Sequence, residues 1–291
     1  MAADYSFLRL FSTDPASPPF SSLLNNSILS FVFFTAVTAI AYFLPFASKL
    51  ERLHSKLLRI QFTNRVAAFT HAVIVVTLGA LVYFEAGFKQ GWSLMSIDVT
   101  PLSMLTHDVA FGYFLYDFAF MATFEPNWLY YCHHVGSLGT IATTRLLSTT
   151  QWLTVNAILF GELTNPLQLP WEFARIASKK LSEKRTDAAL ATSRDLKRLY
   201  ESLSLPYTLL YVLCRVFYAP GFTLRHIYVW YTRYNLRTGG DVPLSFISPQ
   251  PFCTFVYLMV FITISVSWQW AHGIVTGYIK FRAKRRTQKK A

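Results

Sequence analysis

The sequence predicts an all-α fold, a polytopic bundle of about seven transmembrane helices integral to a membrane. Three observations carry that reading. Of 291 residues, 53% are hydrophobic, 17% aromatic and only 14% charged, whereas a soluble domain carries about 25% charged residues. Mean hydropathy is +0.33. The net charge of +12 is gathered into short stretches between apolar runs, the pattern of a multi-span chain and not of a nucleic-acid-binding face. A soluble enzyme, a disordered regulator and a nucleic-acid partner are excluded on these grounds.

A helix needs about 20 mostly apolar residues to cross a bilayer. Seven stretches qualify: 27–47, 66–84, 102–123, 128–148, 151–175, 201–224 and 252–279. The residues before the first contain Pro15, Pro18 and Pro19 and no cleavable apolar core, so no signal or transit peptide is expected. Asn25-Asn26-Ser27 is a sequon at the mouth of that span. Between the first and second spans, 48–65 carries five Lys and Arg, read as a cytosolic loop. Only Glu125-Pro126-Asn127 and Thr149-Thr150 separate the third, fourth and fifth spans, which predicts a tight antiparallel trio. Pro166 and Pro170 are expected to kink the fifth. The stretch 175–200 holds eight basic residues and the tail 280–291 seven.

The other side holds five: Arg9, Lys89, Arg225, Arg233 and Arg237. Twenty against five fixes orientation by the positive-inside rule, with the N-terminus lumenal and the C-terminus cytosolic. Gln288-Lys289-Lys290-Ala291 approximates a dilysine retrieval signal and points to the endoplasmic reticulum. Cys132, Cys214 and Cys253 have no CxxC or zinc spacing and read as small buried side chains. No signal for an oligomeric state is present.

Ionisable residues near mid-bilayer cost about 2.5–3.5 kcal/mol each and so mark function. His71, Asp117, His133, His134, Glu162, Asn165 and His272 all fall in the central-to-cytosolic part of their spans. They predict a polar chamber open to the cytosol. Asp108 lies nine residues before Asp117, about 900° of helix away and on the opposite face, and is read as interfacial. Glu162, Asn165, Leu169 and Glu172 form one stripe, and Tyr207, Tyr211, Arg215 and Tyr218 another. Arg215 needs a counter-charge, for which Glu162 is nearest in depth, while Arg145 is expected to snorkel.

Neighbouring residues His133 and His134 point about 100° apart, so one imidazole can face a substrate while the other contacts Asp117. Either could act as base, nucleophile or proton relay; packing against Ser137, Tyr113 or backbone is the alternative. The candidate catalytic residues are therefore His133, His134 and Asp117. The candidate substrate-binding residues are Glu162, Asn165, Arg215, His71, Tyr113, Tyr211 and His272. No second histidine box accompanies the pair, so no metal and no cofactor are expected.

Asp108…Gly112-Tyr113-Phe114-Leu115-Tyr116-Asp117, His133-His134 and Gly161-Glu162-Leu163-Thr164-Asn165-Pro166, preceded by Asn64-Arg65-Val66…His71-Ala72, resemble the TLC (TRAM/Lag/CLN) domain. The resemblance covers about 56–280, leaving 1–55 as lumenal N-terminus, first helix and start of the basic loop, and 281–291 as a basic cytosolic tail. It implies a lipid role in the endoplasmic reticulum or a related membrane. In its ceramide synthase branch, His133 and His134 match a histidine pair. Glu162 and Asn165 stand where that branch has two aspartates three residues apart. No Asp occurs between His134 and Asp187, which makes the chain more similar to the small TLC-domain-containing proteins.

The leading expectation is a protein that binds membrane lipid in the chamber and contributes to lipid homeostasis. One alternative is an acyl-CoA-dependent N-acyltransferase of ceramide synthase type. Its partners would be acyl-CoA or a ceramide-like lipid, with Asp117 orienting a histidine, Arg215 as anionic anchor and the 175–200 loop steering phosphates. The other is a proton-coupled carrier, although no inverted repeat is present.

Overall fold

Prolines and cap residues set where the helices begin. The computed structural model describes residues 19–90, 100–147, 151–225, 228 and 249–288, and each element among them is a helix. In chain order these are α1 (Pro19–Tyr42), α2 (Pro45–Leu53), α3 (Lys56–Gln90), α4 (Pro101–Phe124), α5 (Trp128–Leu147), α6 (Gln151–Glu162), α7 (Asn165–Glu183), α8 (Asp187–Tyr211) and α9 (Pro249–Gln288). α8 runs into a π-helical stretch, Val212–Tyr218, and helix is described from there as far as Arg225. Pro45, Pro101 and Pro166 each open a helix, where a missing N–H costs nothing. Thr100 and Ser103 form a reciprocal capping box ahead of α4.

Among the described residues, four helical stretches are long and apolar enough to cross a membrane: Leu23–Tyr42, Lys56–Glu85, Asp187–Arg225 and Tyr257–Ala283. The chain is an integral membrane helical protein. The other expected spans correspond to α4, α5 and the pair α6–α7.

Three sequence expectations change. The fifth span is not one kinked helix but two, broken at Leu163-Thr164. Pro166 has no N–H to offer the Glu162 carbonyl, and Thr164 starts a new ladder by accepting from Gln168 N–H at 2.9 Å. The stretch 175–200 is no loop either. It is the end of α7 and the start of α8, turned at Lys184-Arg185-Thr186, because Ala174, Ala177, Leu181, Ala189 and Leu196 make an apolar stripe that the hairpin buries. Likewise 48–65 folds as most of α2 and the start of α3. The sequon lies within α1, with the Ser27 hydroxyl donating to the Asp108 carbonyl at 3.3 Å. Pro15, Pro18, the Thr149-Thr150 turn, Arg9, Arg233, Arg237 and Lys289-Lys290-Ala291 lie outside the described residues.

The chain divides into two compact units. The first holds the described residues of Met1–Phe34, Ile74–Leu159 and Pro220–Thr263, and the second those of Thr35–Val73, Phe160–Ala219 and Ile264–Ala291. In the first, Val82, Leu102, Leu105 and Val155 form a core cluster. Gly112 lets α4 approach α1: a Cβ there would lie 2.3 Å from the Ser27 carbonyl oxygen and 2.6 Å from Ser30 Cβ. In the second, Leu50 and Leu58 join the α7–α8 stripe, and Tyr207, Tyr211 and Ala271 make another cluster.

Candidate functional site

The three-residue turn Glu125-Pro126-Asn127 folds α5 back along α4, so residues equally far from Pro126 meet. Asp117 and His134 lie nine and eight residues on either side of it. His134 Nε2 is 2.8 Å from Asp117 Oδ2, and its Nδ1 is 2.8 Å from the Tyr130 carbonyl oxygen. Both ring nitrogens thus face acceptors. The pair is satisfied when the ring carries two protons beside a carboxylate, or when the ring carries one and Asp117 the other. His133 is buried next to it, edge-on to Phe114 at 6.2 Å and to His134 at 5.7 Å. Tyr113 is buried one turn before Asp117, against Phe34 at 5.1 Å.

The same pairing about Pro126 brings Asp108 and Arg145 together, eighteen and nineteen residues from the turn. Arg145 Nε donates to Asp108 Oδ1 at 3.0 Å, and Asn26 Nδ2 on α1 donates to Oδ2 at 2.8 Å. Asp108 is 0% exposed and Arg145 4%. This overturns two sequence expectations, an interfacial Asp108 and a snorkelling Arg145. Each charge is buried because the other neutralises it, and Asn26 occupies the remaining carboxylate oxygen. The hairpin arithmetic was available in the sequence; facial angles within one helix hid it, because they ignore how far an arginine reaches.

The second unit holds the other cluster. His71 is wholly buried, with Nδ1 3.4 Å from Glu162 Oε2, and Asn165 Nδ2 donates to the same oxygen at 2.6 Å. The Glu162–Asn165 contact therefore survives the helix break that interrupts their stripe. Arg215 acts on the Glu162 carboxylate through its field, as expected of its counter-charge, while its direct contacts lie elsewhere. Its Nη2 donates to the Gly161 carbonyl and lies 3.5 Å from Thr164 Oγ1, while Nη1 lies 3.5 Å from Ser267 Oγ. The break strips the last α6 carbonyls of their partners, and a cation at a helix C-terminus is what they favour. Tyr211, one turn before Arg215, donates to the Ser267 carbonyl at 3.2 Å. The π-helical stretch carries Arg215 itself. Stretches of this kind recur at functional sites; no sequence pattern announced it.

Also within the second unit is a cavity of about 400 Å³, lined by Phe46, Phe62, Arg65, Val66, Phe69, Leu169, Pro170, Phe173, Leu196 and Leu199. Nine of the ten are apolar. The tenth, Arg65, lends the lining almost no polar surface, and its Nη2 lies 3.6 Å from Glu172 Oε2. Sequence reasoning did not single out this lining, because it draws on four helices and each contribution looks like ordinary core.

The predicted site residues thus fall into two groups. His133, His134, Asp117 and Tyr113 belong to the first unit, and His71, Glu162, Asn165, Arg215 and Tyr211 to the second. His272 joins neither group: it is exposed on α9, where the buried positions among the described residues are Val260, Val266, Ser267 and Ala271. Among the described residues, no three His, Cys, Asp or Glu side chains are grouped to hold a metal ion. A family model described as the TLC domain matches residues 61–275, which takes in both groups.

Proposed function

The chain belongs to the TLC-domain family, and on that premise we propose that it binds a membrane lipid and contributes to membrane lipid homeostasis. The observation that carries the proposal is the apolar cavity of about 400 Å³ in the second unit. Ligand sites are commonly concave and mostly apolar, and this lining is almost wholly apolar, as a hydrocarbon chain requires. In this reading Glu162, Asn165, His71, Arg215 and Tyr211 are positioning residues. They fix the α6–α7 break and so the start of α7, whose Leu169, Pro170 and Phe173 form part of the wall. Seven spans, a TLC unit over 56–280, an endoplasmic reticulum address, a lumenal N-terminus and kinship with the small TLC-domain-containing proteins belong to the same proposal.

The test is lipid extraction and mass spectrometry on detergent-purified protein, wild type against Val66→Trp, whose indole would fill the cavity. The expected result is a stoichiometric lipid in wild type and its loss from a folded Val66→Trp. Equal lipid in both would sink the proposal. Membrane lipid composition in cells with and without the chain then tests the homeostatic role.

A second reading is favoured by the 2.8 Å His134–Asp117 contact, which is how an enzyme orients an imidazole. As an N-acyltransferase, the protein would use His133 to take a proton from the attacking amine, with His134 and Asp117 as its polarising support. The nitrogen would bond to the acyl carbon of the thioester, the C–S bond would break, and the thiolate of CoA would leave and regain a proton. Free-CoA release from long-chain acyl-CoA, dependent on a sphingoid base and lost in His133→Ala/His134→Ala, is the expected signature. Silence with folded wild-type protein across a series of acceptors would count against it.

A further inference from the structure

We infer that the corner where α2 and α3 meet the end of α7 binds the phosphate head of an anionic membrane phospholipid, on Lys180, Lys184 and His54. The inference does not rest on the cavity. Charge comes first. The stretches 48–65 and 175–200 hold thirteen Lys and Arg against four Asp and Glu. That difference, +9 of the chain's +12, is carried by two stretches far apart in sequence.

Packing decides where their charges meet. Leu50 on α2, Leu58 on α3, and Ala177 and Leu181 on α7 share one buried cluster. Lys180 and Lys184 flank Leu181 and are carried with it to the α2–α3 corner. Lys180 Nζ donates to Gln61 Oε1 on α3 at 3.0 Å, a neutral acceptor that does not offset its charge. His54, between α2 and α3, feels both lysines. Its ring is held below the ordinary 6.5 first by burial and then by Lys180 and Lys184, with Glu183 opposing. The acid of α2, Glu51, is committed to Arg59 at 2.5 Å. Like charges four residues apart on a helix repel, and an anion between them reverses the sign. Topology needs only a count of basic residues on one side of the membrane. Convergence of two stretches on one corner is what a phosphate needs.

Position supplies the membrane. The candidate span of α1 ends at Tyr42 and that of α3 begins at Lys56, so the corner lies between two span ends, at the depth of lipid heads. Phe43, Leu44 and Leu57 are exposed beside it, and apolar side chains next to cations are the composition of an interfacial site. Basic clusters adjoining a span are where anionic heads collect. Lysine serves phosphate oxygens as a point charge. The Ser55 hydroxyl engages His54 Nδ1 at 2.8 Å, which leaves Nε2 for a further oxygen.

The experiment is equilibrium binding to the full chain, purified in non-ionic detergent. The probes are dioctanoyl phosphatidate, dioctanoyl phosphatidylcholine and glycerophosphate. The first two share their chains, and the first and third share a phosphate head. Wild type should bind phosphatidate about thirtyfold tighter than phosphatidylcholine. Lys180→Gln/Lys184→Gln should erase that preference, at about fivefold for each charge removed. Arg194→Gln/Lys197→Gln removes equal charge from exposed positions on α8 and should cost less than about threefold. Phosphatidate should also move the His54 NMR titration upward in wild type, a readout that stands even if the lysine variant does not fold. Equal losses in the two double variants, or a His54 titration unmoved by phosphatidate, overturn the corner as a site. Phosphatidylcholine binding as tightly as phosphatidate overturns the anionic head. Glycerophosphate binding as tightly as phosphatidate overturns the lipid as the source of the phosphate.

Discussion

Replacing Arg145 by Met tests whether the buried pair behaves as a coupled unit. The methionine preserves most of the aliphatic stem and removes the guanidinium. Asp108 is then left with 0% exposure and, of its two side-chain donors, only the Asn26 amide at 2.8 Å. Removing one partner of a buried ion pair costs about 3–5 kcal/mol, because the remaining charge cannot return to water. At about 2–4 °C per kcal/mol for a large domain, the apparent melting temperature should fall by on the order of 10 °C. Asp108→Asn should be similarly costly, since it strands Arg145 instead. The double variant leaves no charge behind and should recover much of the loss, with a coupling energy of about 2–3 kcal/mol. Thermal inactivation of detergent-solubilised protein, followed by size-exclusion chromatography, reads all four species. An Arg145→Met protein melting within about 2 °C of wild type, or a double variant no better than the sum of the singles, would refute the reasoning. Arg145 would then be reaching solvent after all.

Four further outcomes are expected. Gly112→Ala places a methyl 2.3 Å from the Ser27 carbonyl oxygen and should cost about 1–3 kcal/mol in the same melt, as α1 is pushed off α4. Arg185→Gly should raise the melting temperature by an amount equivalent to about 0.5–1 kcal/mol, because φ at this exposed turn is 56° and an L side chain there is strained. Asp117→Asn should cost about 1–3 kcal/mol of stability through the loss of the charge-assisted contact to His134, and on the acyltransferase reading should also abolish CoA release. His54 should titrate below 6.5 by NMR, held down first by burial and then by the charges of Lys180 and Lys184. The sign follows from the direction: folding favours the neutral ring, so this site subtracts stability as pH falls below 6.5. Lys180→Gln should move the titration upward.

The helical class and the membrane setting were legible from composition because they depend on averages over the whole chain. The contact between His134 and Asp117 was legible too, since a three-residue turn leaves an antiparallel hairpin little freedom of register. What escaped were features that depend on tertiary partners. Arg145 looked like a lumenal anchor because nothing local says that Asp108 and Asn26 converge on it. Depth matches Arg215 to Glu162, and its field does act there, but depth alone does not show that its direct hydrogen bond goes to the broken end of α6. The basic stretches 48–65 and 175–200 read as loops when charge density outweighs the alanine and leucine stripe running through them. His272 was included on depth alone, and depth says nothing about which way a helix faces.

The interruption between α6 and α7 also bears on how the chain is made. α6 has 12 residues, about 18 Å of helix, too short to cross some 30 Å of hydrocarbon unaided. The Gly161 carbonyl near its end accepts from Arg215, which lies 54 residues further along. At about 5–20 residues per second, that guanidinium leaves the ribosome roughly 3–11 seconds after the carbonyl it serves. For that interval the Gly161 carbonyl lacks the donor that serves it in the folded chain. The end of α6 is therefore completed only once the stretch that follows α8 is in place, so local order at this break depends on residues made well after it.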